Sequence, residues 1–318
     1  MTTILTLAFV SLFTGLGVFM AGVIFMRQAL NTLIQGRLKG MVAHIGHNRY
    51  IAASSGAVAA ACMQSSGAVS VVAISAVDSG GLTLFGASAV ILGANVGTTL
   101  LGLTVASSHL PISSMLGVLT LIGSFVILSF NKPIATTIGQ AIIGLGLIFV
   151  GMKTMSNAFG QAEMSRLLGG FFSQITYAPM LMLLAALCAA LLQSSSAIVA
   201  LAISMVATNT ISLYFAFFVV LGADVGTCIV SILACIGTSK DAKRVAMLQL
   251  LFNIMGAVIF CTGLMVFKKP IMEYISTFHH APSMVVALFH IMFNLVCVVI
   301  ALPLLKYLVG MTKFFVRD

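Results

Sequence analysis

The sequence predicts an all-α, polytopic membrane protein built from two copies of one internal repeat. Three observations carry this reading. Of the 318 residues, 60% are hydrophobic and 7% charged, with a mean hydropathy of +1.18, whereas a soluble domain carries about 25% charged residues. Apolar runs of roughly 20 residues, the length that crosses a bilayer core, recur from end to end. A polar constellation also occurs twice. Gln64-Ser65-Ser66-Gly67-Ala68 is followed by Gly93-Ala94-Asn95-Val96-Gly97-Thr98-Thr99, and Gln193-Ser194-Ser195-Ser196-Ala197 by Gly222-Ala223-Asp224-Val225-Gly226-Thr227-Cys228. Both blocks are displaced by 129 positions (193 − 64 and 222 − 93). The same shift maps Gly15-Leu16-Gly17 onto Gly144-Leu145-Gly146, Gly22 onto Gly151, Arg37-Leu38 onto Arg166-Leu167, and Ala73-Ile74-Ser75 onto Ala202-Ile203-Ser204. Hydroxyls, amides and glycines kept in register inside apolar segments mark a repeat-built transporter, with the binding site at the corresponding interrupted segments.

Nine apolar stretches follow in order, at about 4–26, 51–77, 82–106, 112–130, 134–155, 179–206, 211–236, 244–267 and 283–309. No basic residue precedes the first; a signal peptide needs a positive region there, so the stretch is read as a retained helix. Residues 27–50 carry Arg27, Arg37, Lys39 and Arg49 and are expected to hold an interfacial helix on the cytoplasmic side. The second and sixth stretches place Gln-Ser-Ser at their midpoints. Each is either a continuous spanning helix or a re-entrant pair of half-helices meeting at the motif, which is allowed where irregular backbone faces protein or water. With no long linker, the chain reads as a single transmembrane domain over 1–318: repeat 1 at about 4–130, repeat 2 at about 134–267, and an extra C-terminal helix at about 283–309.

Fifteen basic against six acidic residues give a net charge of +9. In this apolar context the excess reflects topology and lipid headgroups rather than nucleic acid. With re-entrant segments, 11 of the 15 basic residues fall inside: Arg27, Arg37, Lys39, Arg49, Lys132, Lys240, Lys243, Arg244, Lys306, Lys313 and Arg317. Both topologies put the N-terminus outside and the C-terminus in the cytoplasm.

On these residues the chain resembles the sodium–phosphate cotransporter family, the type II group with bacterial members. The family's hallmark is a duplicated Gln-Ser-Ser-Ser motif in inverted repeats. Gln193 to Ser196 match it in full, while the first copy departs at Gly67, which is left out of the site. The resemblance runs from about Gly15 to Asn294. It implies two inverted repeats with re-entrant hairpins and broken helices, and sodium-coupled symport of inorganic phosphate by alternating access in a bacterial inner membrane, with another small anion as substrate and export as direction left open as alternatives. Phosphate, sodium and the bilayer are the implied partners, with a homodimer left open, and no cofactor is expected beyond Na⁺ as coupling ion. Some bacterial relatives carry a soluble regulatory domain after the membrane part; this chain ends at Asp318, so that domain is expected to be absent.

The residue chemistry suits that assignment. Phosphate needs inward donors: Ser hydroxyls, Gln amides and backbone N–H groups at half-helix N-termini. Sodium needs hydroxyl, amide, carboxylate or freed carbonyl oxygen, and Gly93, Gly97, Gly222 and Gly226 are expected to let the helices unwind and expose it. The candidate binding residues are Gln64, Ser65, Ser66, Asn95, Thr98, Thr99, Gln193, Ser194, Ser195, Ser196, Asp224 and Thr227, with sodium held by Asp224, Asn95, Thr98 and Thr227. Asp224 stands out because an acid inside a membrane segment is a functional candidate by default. Gly15, Gly22, Gly144 and Gly151 read instead as helix-packing positions.

A fainter echo pairs Gln249, Phe252 and Asn253 with His290, Phe293 and Asn294. Gln249/Asn253 and His290/Asn294 are i, i+4 pairs on one helix face, expected to brace the core, with Asn253, His290 and Asn294 placed behind the binding residues. Asp78 reads as a helix-end residue at the interface. The six cysteines lack CxxC or metal-ligand spacing and are expected to be small buried hydrophobes. A channel with Gln-Ser-Ser filter loops is a rival reading, although filters gather several identical loops around one axis. A serine hydrolase is the other, but no Gly-x-Ser-x-Gly elbow is present.

Overall fold

A computed structural model of the chain describes residues 2–44, 48–107, 118–130, 132–173, 175, 177–277 and 280–317. Its elements are α1 (Thr2–His44), α2 (Arg49–Met63), α3 (Ser66–Asp78), α4 (Leu84–Ala106), α5 (Val118–Ser129), α6 (Pro133–Gly160), α7 (Ala162–Ser173) and α8 (Pro179–Leu192). There follow α9 (Ser195–Ala207), α10 (Leu213–Gly226), α11 (Ile229–Ala234), α12 (Lys240–Val266), α13 (Lys268–Ser276), α14 (Pro282–Ala301) and α15 (Leu305–Phe315). No strand occurs among the described residues, and six segments are long and apolar enough to cross a membrane: Leu5–Met26, Leu84–Ala106, Pro133–Gly160, Leu213–Ala234, Lys240–Val266 and Pro282–Ala301.

The two Gln-Ser-Ser stretches are not single helices. Each is a helical hairpin, and glycine contacts give its direction. A Cβ at Gly93 would run into the carbonyl oxygen of Ala53, and one at Gly97 into that of Ala57, so α2 and α4 run parallel at close range. The second repeat does the same, with Gly222 against Met182 and Gly226 against Ala186. Since α2 and α4 are parallel, the intervening α3 must run back against both. At 1.5 Å per residue, α2 and α3 are only about 20–22 Å long, short of a bilayer core of about 30 Å. Continuous spanning helices at 51–77 and 179–206 are therefore excluded.

Two further expectations change. Residues 27–44 continue α1 instead of starting an interfacial helix of their own. The glycines expected to unwind do not: α4 is helical throughout Gly93–Thr99, and Gly222 lies inside α10. Their role is proximity, since at each one a neighbouring backbone occupies the space of a side chain. The helix breaks only after Gly226, where a turn at Thr227–Cys228 separates α10 from α11. The first repeat has no such break.

Equivalent elements of the two repeats meet each other. Gly15 packs on Gly151 and Met155, and Gly22 on Gly144 and Ile148, so α1 and α6 cross antiparallel through their shared glycines. Two buried apolar clusters fill the interior. One gathers α1, α6, α9, α10 and α14 around Phe19, Ile148, Ile203 and Phe217; the other gathers α2, α3, α4, α12 and α15 around Ile74, Ile91, Leu92 and Leu305.

At one end of the molecule, Arg49 Nη1 donates to the Pro303 carbonyl (3.1 Å) and Asp78 Oδ1 accepts from the Ser239 N–H (2.7 Å). Asp78 thus ties the first hairpin to the start of α12. There too, Arg244 donates to Asp241 (2.8 Å) and to the Val316 carbonyl (3.2 Å), anchoring the C-terminal helix.

Candidate functional site

The two hairpin tips are built alike. Gln64 (φ 49°, ψ 34°) and Gln193 (φ 52°, ψ 32°) are left-handed, and Ser65 and Ser194 are extended. The N–H groups of Ser65 and Ser194 bond the carbonyls of Ala60 (3.3 Å) and Ala189 (3.2 Å), closing the first helix of each pair. Their hydroxyls accept the N–H of Ala68 (3.1 Å) and Ala197 (3.3 Å), opening the second. Gln64, Gln193 and Asn209 are the only described non-glycine residues at positive φ. Such strain, on the order of 1–3 kcal/mol, clusters at functional sites, and two of the three instances fall on the repeated motif.

Each tip presents a helix N-terminus. The first N–H groups of α3 and α9, those of Ser66 and Gly67 and of Ser195 and Ser196, have no acceptor within their helix. Ser66 and Ser195 are buried, and their hydroxyls, like that of Ser196, make no hydrogen bond among the described residues. The Gln64 Oε1 is buried without a partner, while Gln193 is exposed. The five serines therefore divide by role. Ser65→Ala or Ser194→Ala is expected to lower stability by about 0.5–2 kcal/mol through the lost cap. The same change at Ser66, Ser195 or Ser196 removes no structural bond and should leave unfolding unchanged. Thermal unfolding of the detergent-solubilised variants checks this division.

Each tip leans on the other repeat. Gly67 lies against Val230 of α11, where an added Cβ would meet Cγ1 at 3.2 Å. That contact accounts for glycine where the other copy has Ser196. Reciprocally, Val199 of α9 lies beside Gly102 of α4. No hydrogen bond joins the two Gln-Ser-Ser motifs directly among the described residues.

Behind the tips lies a buried polar chain. Asn95 Nδ2 donates to Asn253 Oδ1 (2.8 Å), and Asn253 Nδ2 donates to the Asp224 carbonyl (3.1 Å) and contacts Cys228 Sγ (3.1 Å). Asn95 and Asp224 are equivalent positions of the two repeats, so Asn253 bridges them. The Asp224 carboxylate accepts from His290 Nε2 (3.1 Å to Oδ1, 3.2 Å to Oδ2) and from Asn294 Nδ2 (2.7 Å). His290 Nδ1 is buried without a partner. Asn253, His290 and Asn294 thus form one network with Asn95 and Asp224. The i, i+4 spacing on α14 puts both donors on the same carboxylate.

The threonines are arranged differently. Thr98 donates its hydroxyl to the Asn95 carbonyl (3.0 Å), Thr99 to Val96 (2.7 Å) and Thr227 to Ala223 (2.8 Å). A hydroxyl whose proton is fixed on its own helix presents only lone pairs, the arrangement a hard cation requires. Three residues of this neighbourhood escaped sequence reasoning as site members: Cys228, Ser231 and Gln249. Gln249 Oε1 accepts from the Ser231 hydroxyl, and its Nε2 is buried unpaired. The available signals were the Gln249 echo with His290 and the register of Cys228 with Thr99 in the repeated block; Ser231 had none.

Comparison with known proteins identifies the family. The family model described as Na+/Pi-cotransporter matches residues 18–157 and again 151–306. Relatives include the "Putative inorganic phosphate export protein YjbB" of Salmonella typhimurium and that of Escherichia coli K12, each 26% identical over 313 residues. These alignments cover 98% of this chain but 56% of the relatives, so the chain spans about half their length. The "Uncharacterized protein YqeW" of Bacillus subtilis is 25% identical over 90% of this chain and 91% of its own. No solved structure matches. With the family model covering both repeats of this multi-pass helical chain, the protein belongs to the Na+/Pi-cotransporter family, a family of transporters and not of enzymes.

Proposed function

We propose that the protein moves inorganic phosphate across the membrane, coupled to sodium, by alternating access between inverted repeats. The observation that carries the reading is the twofold recurrence of one strained hairpin tip, Gln64–Ser66 and Gln193–Ser195, each ending in an N-terminus with unspent donors. Helix N-termini attract anions through their free N–H groups and dipole, and two of them can share one phosphate. The antiparallel α1–α6 crossing supports inversion, because it lets two equivalent elements exchange places about an axis perpendicular to both.

Sodium fits the oxygens of Asn95, Thr98 and Thr227, with Asp224 supplying negative charge. Because His290 and Asn294 already hold that carboxylate, the ion takes its remaining lone pairs, and the network fixes its orientation. Thr99 and Asn253 position these groups. In this reading a sodium ion offsets the repulsion between Asp224 and phosphate, which links the two binding events. The name borne by the enterobacterial relatives favours efflux as the direction in the cell.

Flux of radiolabelled phosphate in proteoliposomes, with Na⁺ or K⁺ as the only cation and gradients imposed in each direction, tests the proposal. Sodium is expected to stimulate phosphate flux, and excess unlabelled phosphate to compete more strongly than sulfate. Equal flux in both cations removes sodium coupling, and stronger competition by sulfate reassigns the substrate.

A further inference from the structure

An apolar cavity of about 600 Å³ opens between α10, α12, α13 and α14, lined among others by Phe217, Phe260, Gly263, Ile271, Tyr274 and Phe289. Its volume falls in the range of about 300–1,000 Å³ usual for small-molecule sites. A smaller cleft of about 90 Å³ shares Ile259 and Phe260 with it and continues along the α12–α14 seam past Gly256 toward Leu304 and Leu308. The two together make an elongated apolar slot rather than a compact chamber.

Two exposed lysines follow directly on the lining of this slot. The chain turns at Phe267, itself part of the lining, into the amphipathic α13, whose first two residues are the exposed Lys268 and Lys269. Lys268 Nζ sits 4.4 Å from the centre of the Tyr214 ring, one turn before the lining Phe217 on α10. His280 also lines the cavity, and Glu273, one turn after Lys269, is the acidic group of this short helix.

We propose that this slot binds a single anionic phospholipid, with one acyl chain lying along the α12–α14 seam and the phosphodiester held by Lys268 and Lys269. An elongated apolar slot with two exposed lysines beside it matches that molecule's two chemistries. A zwitterionic lipid would bring its own cation against the lysines. The slot shares none of the residues of the phosphate and sodium site, although α10, α12 and α14 contribute to both.

The test uses the whole 318-residue chain, washed in detergent after exposure to equal amounts of palmitoyl-oleoyl phosphatidylglycerol and phosphatidylcholine. Retained lipid is counted by native mass spectrometry. Phosphatidylglycerol is expected to be retained at least tenfold over phosphatidylcholine. A Cβ at Gly263 meets nothing within 4 Å, so Gly263→Phe fills the slot from a position with room and should lower retention at least tenfold. Lys268→Gln and Lys269→Gln each should narrow the preference roughly fivefold, the effect of one basic group near an anionic headgroup. Equal retention of the two lipids by the wild type, or undiminished retention in Gly263→Phe, overturns the proposal. If the phenylalanine variant does not fold, the exposed lysine variants decide it: an unchanged preference in both also overturns it.

Discussion

Replacing Asp224 by alanine is expected to cost about 3–5 kcal/mol of stability and to abolish transport. The loss comes from what remains. His290 Nε2 and Asn294 Nδ2 both aim at the carboxylate in a buried site, and removing one partner of a buried polar network leaves the others unsatisfied at that magnitude. Asp224→Asn separates stability from charge. The amide oxygen can still accept from Asn294, and a change of tautomer lets His290 Nε2 accept from the new amide while Nδ1 takes the proton. The asparagine variant should therefore keep most of its thermal stability while losing the negative charge, as in the first repeat, where Asn95 occupies the equivalent place. Its sodium activation curve and the charge moved per phosphate, measured in proteoliposomes, are expected to change while phosphate binding persists. A well-folded Asp224→Asn protein with wild-type cation dependence and charge movement would remove Asp224 from the sodium site.

Gly93→Ala and Gly222→Ala are expected to be severely destabilising, although each adds one methyl group to a helix. At both positions the new Cβ would collide with a carbonyl oxygen of the parallel helix, Ala53 or Met182. Neither backbone can yield without moving a whole hairpin. Overpacking of this kind costs about 1–3 kcal/mol and more where the obstacle is backbone. The displaced element carries the Gln-Ser tip, so phosphate flux should fall together with stability. Gly263→Ala and Gly310→Ala provide the contrast. Both lie in helices with nothing within 4 Å of an added Cβ, and the better helix propensity of alanine should raise stability by up to about 1 kcal/mol. Unfolding temperatures of the four variants in one detergent decide the matter: equal effects at all four would mean that the glycine contacts between α2 and α4 and between α8 and α10 do not hold the fold together.

Much of this protein is written in its sequence because its chemistry is sparse. In a chain with 7% charged residues, chance does not place Gln-Ser-Ser and Gly-Ala-(Asn/Asp)-Val-Gly-Thr twice in the same register. Membrane class, duplication, family and the polar candidates follow from that recurrence. The i, i+4 spacing of His290 and Asn294 likewise placed both on one face of α14. Apolar length could not tell a hairpin from a spanning helix, since a pair of half-helices of about 20 Å and one continuous helix offer the same run of hydrophobic residues. That distinction lies in the parallel packing of α2 on α4 and of α8 on α10, which depends on contacts between segments far apart in the chain. The glycines show the same limit. Glycine permits both unwinding and close approach, and only the partner backbone at Ala53, Ala57, Met182 and Ala186 shows that approach is its use here.

The carboxylate of Asp224 was visible as an anomaly, but nothing local to residue 224 names its partners. His290 and Asn294 lie 66 and 70 positions away, and Asn253 reaches both repeats only because α12 passes between α4 and α10. The sequence by itself determined which side chains are costly to bury and that they come in two matched sets. The tertiary structure decided which of them satisfy one another and which remain unspent. Hydrogen-bond partnership depends on distance and direction between separate helices, and the spacing of residues along one chain fixes neither.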